Sequence, residues 1–146
     1  MADVIEGKIV VAGEAEGELL VSTQPLSFWG GYDHQTGEII DRRHPLSGQI
    51  AKGRILAIPN TIGSSTTTAV LLEAVRAGTA PAAILTISTD SFLALASIVA
   101  DEMYAAPIPI VALTNDQFSK LKPNSKIAVR QDGLLLLTSQ TRSVPS

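Results

Sequence analysis

Between Arg54 and Leu113, short apolar runs alternate with longer segments of helical character, and this alternation constrains the fold most. "RILAIP" reads as a buried strand, and "SSTTTAVLLEAVRAG" as a helix ending at Gly78, a residue suited to the left-handed position after a last turn. "PAAILTIS" repeats the strand signal. "TDSFLALASIVADEMYA" follows as a second helix with Thr89 or Asp90 at its cap, and "PIPIVAL" closes the pattern as a third strand. Strands joined through helices of this length form βαβ units, which require a partly parallel sheet with right-handed crossovers.

The flanks have another texture. "GKIVVAG" and "GELLVS" are short apolar runs punctuated by glycine and acidic residues, as in β-hairpins. "SKIAVR" and "GLLLLTS", separated by Gln131-Asp132-Gly133, predict a closing hairpin. Between the two halves lies "TQPLSFWGGYDHQTGEIIDRRHPLSGQIAKG", about thirty residues dense in turn formers, a length that in a compact domain is functional or disordered. Its aromatics and double glycine favour function. "QTRSVPS", about 140–146, reads as a frayed tail. The 146 residues are expected to form one layered β/α domain, with neither repeat nor internal linker.

Composition narrows the function. A net charge of −3, with no basic stripe, gives no support for a nucleic-acid footprint. The chain has no cysteine, so it forms no disulfide and holds no iron–sulfur cluster through its own thiolates. No charged n-region precedes a long apolar stretch, and the longest weakly charged segment is broken by Pro81 and Asp90. A soluble, cytoplasmic domain without a membrane span is expected.

The segment Gly63-Ser64-Ser65-Thr66, between strand and helix, is the candidate site. A serine there can simply cap the helix by accepting a first-turn amide. Nucleotide-binding spacings are absent, as is GxSxG, and His34 and His44 lack an evident third partner for a hydrolase triad. What remains is a hydroxyl held among amides at the positive end of a helix dipole. Such a place can hold a carboxylate or phosphate, or stabilise an alkoxide strong enough to take a proton from carbon beside a carboxylate.

Gly63-Ser64-Ser65 at a helix start is similar to the Gly-Ser-Ser-Arg segment of the aconitase superfamily's swivelling domain. The chain resembles still more the small, swivel-type component of aconitase X enzymes. "PLSFWGGYDHQTGEIIDRRHPLSGQIAKGRILAIP" matches that family's Ser-Phe-x-Gly-Gly loop, Asp, Thr-Gly, later Asp and His, and Gly before a strand. "GSSTTTAVLLEAVRAGTAPAAILT" matches its serine-bearing helix and Ala-Pro strand. The resemblance runs from about Lys8 to Leu137. It implies an α/β swivelling domain and half of a hydro-lyase, with Ser64 as the catalytic base and Ser65 contributing its amide or hydroxyl. It also implies a larger partner whose cysteines hold an iron–sulfur centre that activates the departing hydroxyl.

Two departures bear on substrate. Thr66 stands where aconitase proper has arginine, so a tricarboxylate clamp is lost. Ile62 replaces the basic residue that often precedes the glycine in archaeal phosphomevalonate dehydratases, which leaves the bacterial branch, cis-3-hydroxy-L-proline dehydratase, as the better fit. The expected substrate is a small carboxylate, with Thr66, Ser27, Phe28, Gly30, Gly31 and His44 as further binding candidates and no metal held by this chain. Each has a plainer reading. The Ser27–Gly31 stretch can be a turn with Phe28 and Trp29 folded over the core edge, and a lone loop histidine is ordinarily exposed. Arg42 and Arg43 read as solvated, and Glu73 with Arg76 as a surface pair. A non-catalytic module binding a small anion at Gly63-Ser64-Ser65 is the alternative of another class.

Overall fold

A computed structural model describes residues 2–62 and 65–138. The elements run β1 (Ala2–Glu6), β2 (Lys8–Val11), β3 (Ala15–Val21), β4 (Leu26–Ser27), β5 (Ile55–Ala57) and β6 (Thr61–Ile62). They continue as α1 (Ser65–Ala77), β7 (Ala83–Thr86), α2 (Ser91–Tyr104), β8 (Ile110–Ala112), α3 (Asn115–Ser119), β9 (Lys126–Val129) and β10 (Leu134–Thr138). Eight strands form one mixed sheet in the order β1-β10-β9-β3-β5-β7-β8-β2, and β4 and β6 form a small parallel pair beside it. This is the α/β architecture expected from the alternation: β5, β7 and β8 are mutually parallel and joined through α1 and α2.

The sheet's two edge strands are consecutive in the chain, with only Gly7 between Glu6 and Lys8. A sheet whose opposite edges are linked by one residue has to curl until they meet. The Gly7 amide donates to the Gly133 carbonyl at 3.1 Å, across the mouth of the β9–β10 turn. Strand alternation then divides the apolar residues between two cores. Leu19, Ile55, Ala57, Ala83, Leu85 and Val111 point inside the curl, where Ile127, Val129, Leu135 and Leu137 meet them. Leu20, Leu56, Ile58, Ile84 and Ile110 point outward, under Val70, Leu71 and Ala74 of α1 and Leu93 and Ala96 of α2.

Local expectations hold where the signal was local. Asp90 caps α2, Gly78 takes φ +76° after α1, and Arg76 pairs with Glu73 at 2.8 Å. The β9–β10 hairpin forms around Gly133. The first-half hairpin does not. β2 pairs with β8, and β3 pairs with β9 and β5, because the curled sheet needs them on opposite sides. β1 and the capping-box helix α3 were not anticipated. The tail at 140–146 lies outside the described residues, as do Gly63 and Ser64. Among the described residues, no helix is long and apolar enough to cross a membrane.

The long connection before β5 is packed rather than disordered. It contributes Leu26, Phe28, Tyr32, Ile39, Leu46 and Ala51 to the outer core and closes on itself through the bridges Tyr32–Ile39 and Glu38–Ile50. The Tyr32 hydroxyl donates to the Thr79 carbonyl at 2.7 Å, and the Thr79 hydroxyl to the His34 carbonyl at 2.6 Å, fixing the loop to the far end of α1.

Candidate functional site

β5 leads through Pro59 and Asn60 into β6, and β6 leads into the serine segment that starts α1. Register decides what lies beside it. β4 pairs with β6 as Leu26 with Thr61 and Ser27 with Ile62. The Ser-Phe-Trp-Gly-Gly loop therefore leaves β4 alongside the strand that leads into Gly63-Ser64, although some thirty residues separate them in sequence. The Leu26 amide donates to the Asn60 carbonyl and continues this pairing.

The two helices bring their N-termini to the same place. The Thr68 hydroxyl of α1 donates to the Phe92 carbonyl of α2 at 3.0 Å. Neither helix has an acidic residue in its first turn, and no charged residue occurs between Arg54 and Glu73. The positive end of the α1 dipole thus meets no carboxylate of its own first turn, an arrangement suited to a bound anion.

The other predicted residues divide. Ser65 is exposed and Thr66 half-buried, both in the first turn of α1. Ser27 is half-buried, and its hydroxyl donates to the Trp29 carbonyl at 3.0 Å, shaping the tip. Gly30 lies exposed at φ +79°. Gly31 is buried, and a Cβ there would come within 2.1 Å of the Ser27 carbonyl oxygen, so only glycine permits this fold of the loop. Trp29 is 68% exposed beside it.

Phe28 and His44 stand elsewhere. Phe28 is fully buried, its ring 5.0 Å from that of Tyr32, so it supports the loop from below and presents no face to a substrate. His44 is not the exposed loop histidine of the plainer reading. It is buried, its Nδ1 accepts from the Leu46 amide at 3.1 Å, and its Nε2 faces the Gln24 carbonyl at 3.3 Å. With Nδ1 accepting, the proton sits on Nε2, and both nitrogens serve the loop's own geometry. Arg42 and Arg43 are exposed.

Sequence reasoning missed Thr61 as a participant and saw Asp90 only as a cap. Asp90 Oδ1 accepts from the Phe92 and Leu93 amides at 3.1 and 3.2 Å, which is the cap. Its Oδ2 accepts from the Thr61 amide at 3.1 Å and from the Thr61 hydroxyl. No sequence signal joins these residues, because the contact exists only once β6 lies against the start of α2. The Thr67 hydroxyl, fully buried on the inner face of α1, has no hydrogen-bond partner among the described residues.

A match to the aconitase X swivel domain covers residues 4–137. The chain belongs to this family. The chain is 49% identical over 120 residues to a cis-3-hydroxy-L-proline dehydratase of Pseudomonas aeruginosa, an alignment covering 82% of this chain and 20% of that protein. It is 38% identical over 125 residues to the phosphomevalonate dehydratase small subunit of Pyrococcus furiosus, covering 86% of this chain and 87% of that one. The crystal structure of Thermococcus kodakaraensis aconitase X superposes with a TM-score of 0.83 at 33% identity, covering 94% of this chain and 99% of the other. The chain thus spans about a fifth of the length of the cis-3-hydroxy-L-proline dehydratases it matches, and most of the length of the small subunit.

Proposed function

We propose that this swivel domain is the base-bearing component of a cytoplasmic hydro-lyase, and that its substrate is cis-3-hydroxy-L-proline. What carries the reading is the 49% identity to a dehydratase of that substrate, against 38% to a phosphomevalonate dehydratase small subunit. The register of β4 against β6 supports it physically, because it sets a glycine-bearing loop beside the strand that precedes the serine segment in sequence.

Ser64 is the proton acceptor. The amides opening α1 and the Ser65 and Thr66 hydroxyls receive the substrate carboxylate, and the loop of Ser27, Gly30 and Gly31 covers the ring. Ser64, as its alkoxide, takes the proton from the carbon bearing the carboxylate, the electron pair forms the ring double bond, and the 3-hydroxyl departs, taking up a proton from solvent to leave as water. The enamine tautomerises to Δ1-pyrroline-2-carboxylate. Amides preorganised toward developing negative charge lower this barrier without rearrangement. The sequence has no Lys or Arg between Arg54 and Arg76, which suits a carboxylate better than a phosphate.

The iron–sulfur centre implied by the family does not fit this chain's own donors. There is no cysteine, and among the described residues no group of three or more histidines, aspartates and glutamates is placed to hold a metal ion. The centre therefore belongs to a larger partner component. The outer face of α2 suits such a partner: ten residues, Ser91 to Ala100, carry no charge, and opposite the buried Leu93, Ala96 and Ala100 the helix exposes Leu95 at 49% and Ile98 at 54%. A helix apolar on both faces is built to be covered on both.

The test is to combine the chain with its larger partner under anaerobic conditions and follow loss of cis-3-hydroxy-L-proline beside phosphomevalonate. Pyrroline carboxylate formed from the first substrate supports the reading. Turnover of phosphomevalonate alone would transfer the chain to the other branch. A chain that binds small anions without any partner or turnover would leave the non-catalytic module.

A further inference from the structure

We infer that Asp90 is a positioning residue for the base: its carboxylate holds β6, and with it the entry to Ser64, against the start of α2. The inference rests on the reading of Ser64 as base. It comes from how the carboxylate is used.

A helix cap needs one acceptor oxygen, and asparagine caps as well as aspartate. Here Oδ1 alone does the capping, taking the Phe92 and Leu93 amides. The second oxygen accepts the Thr61 amide and the Thr61 hydroxyl, 29 residues away in sequence. Four donors converge on one side chain, two on each carboxylate oxygen, which is more than a cap requires. Thr61 is the residue paired with Leu26 in the small sheet, so the same carboxylate also fixes the strand beside which the Ser27 loop departs. β6, the loop that leaves β4 beside it and the α2 start are thereby referenced to one group.

Asp90→Asn separates the two roles. The amide retains an oxygen for the cap but presents N–H to the Thr61 donors. Hydrogen exchange of the chain is expected to quicken from Thr61 to Ser65 while Phe92 and Leu93 stay protected. In the complex with the larger component, kcat for cis-3-hydroxy-L-proline should fall by up to about 100-fold, the scale of a misplaced reacting group, with KM little changed. Thr61→Val should reproduce the loss, Thr61→Ser should largely escape it, and combining Asp90→Asn with Thr61→Val should add little, since both cut one linkage.

Ser64→Ala in the same assay separates this inference from the reading beneath it. If Ser64→Ala is inactive while Asp90→Asn keeps full kcat, Asp90 is only a cap and the inference is wrong. If exchange quickens only at Phe92 and Leu93, it is wrong on the structural side as well. If Ser64→Ala stays active, the base assignment fails, and the catalytic half of the inference fails with it.

Discussion

Tyr32 shows how much a single side chain contributes to holding the loop. Burial pushes its phenol well above the ordinary value of 10.0, because the charged form would lose its water. The folded state therefore keeps a proton that the unfolded chain gives up first. The resulting stability is complete below about pH 10 and is lost as pH rises toward the folded value. Urea unfolding of the chain is expected to weaken above pH 10, and Tyr32→Phe should flatten that alkaline decline. At pH 7 the same change should cost about 1 kcal/mol, through the lost bond to the Thr79 carbonyl. Equal alkaline slopes in the two proteins would contradict the burial argument. The roles of Tyr32 and His44 were illegible in sequence, since their partners, Thr79 and Gln24, are set by how the loop folds back. The Gly31 requirement was nearer the surface of the sequence: a double glycine beside aromatics marks a close backbone approach.

At the scale of elements, legibility followed the range of the interaction. α1, α2 and the strands between them announce themselves through periodicity, caps and Gly78, all of which act within a few residues. β1, β4 and β6 are not readable in that way, because their pairing partners lie far off in the chain. The mistaken first-half hairpin has the same cause: adjacent apolar runs look like partners until the curl of the sheet assigns them to β8, β9 and β5. Gly7 is where that curl is most exposed to test. A Cβ there would meet Val111 Cγ1 at 2.3 Å and Leu113 Cδ2 at 2.9 Å. Gly7→Ala is expected to destabilise the chain by roughly 1–3 kcal/mol, the cost of overpacking a filled core. Thermal unfolding would show it. A variant as stable as the parent would mean that the sheet closes more loosely than described.

For the whole molecule, two helix N-termini and the loop that leaves β4 meet beside β6, and the outer face of α2 is the face proposed to meet a larger component. Replacing both Leu95 and Ile98 by aspartate should weaken association with that component by about tenfold or more, some 1.4 kcal/mol. Neither side chain belongs to the core, so the melting temperature of the free chain should hardly move. Intact association would place the interface elsewhere. The family itself was legible from an ordered set of motifs, whereas the placement of Ser64 lies outside the described residues and stands on chemistry. The most direct measurement is therefore turnover of cis-3-hydroxy-L-proline by the assembled pair carrying Ser64→Ala. The expected result is a complex that forms normally and makes no detectable pyrroline carboxylate. Undiminished turnover, with only the small stability loss of a missing cap, would contradict it.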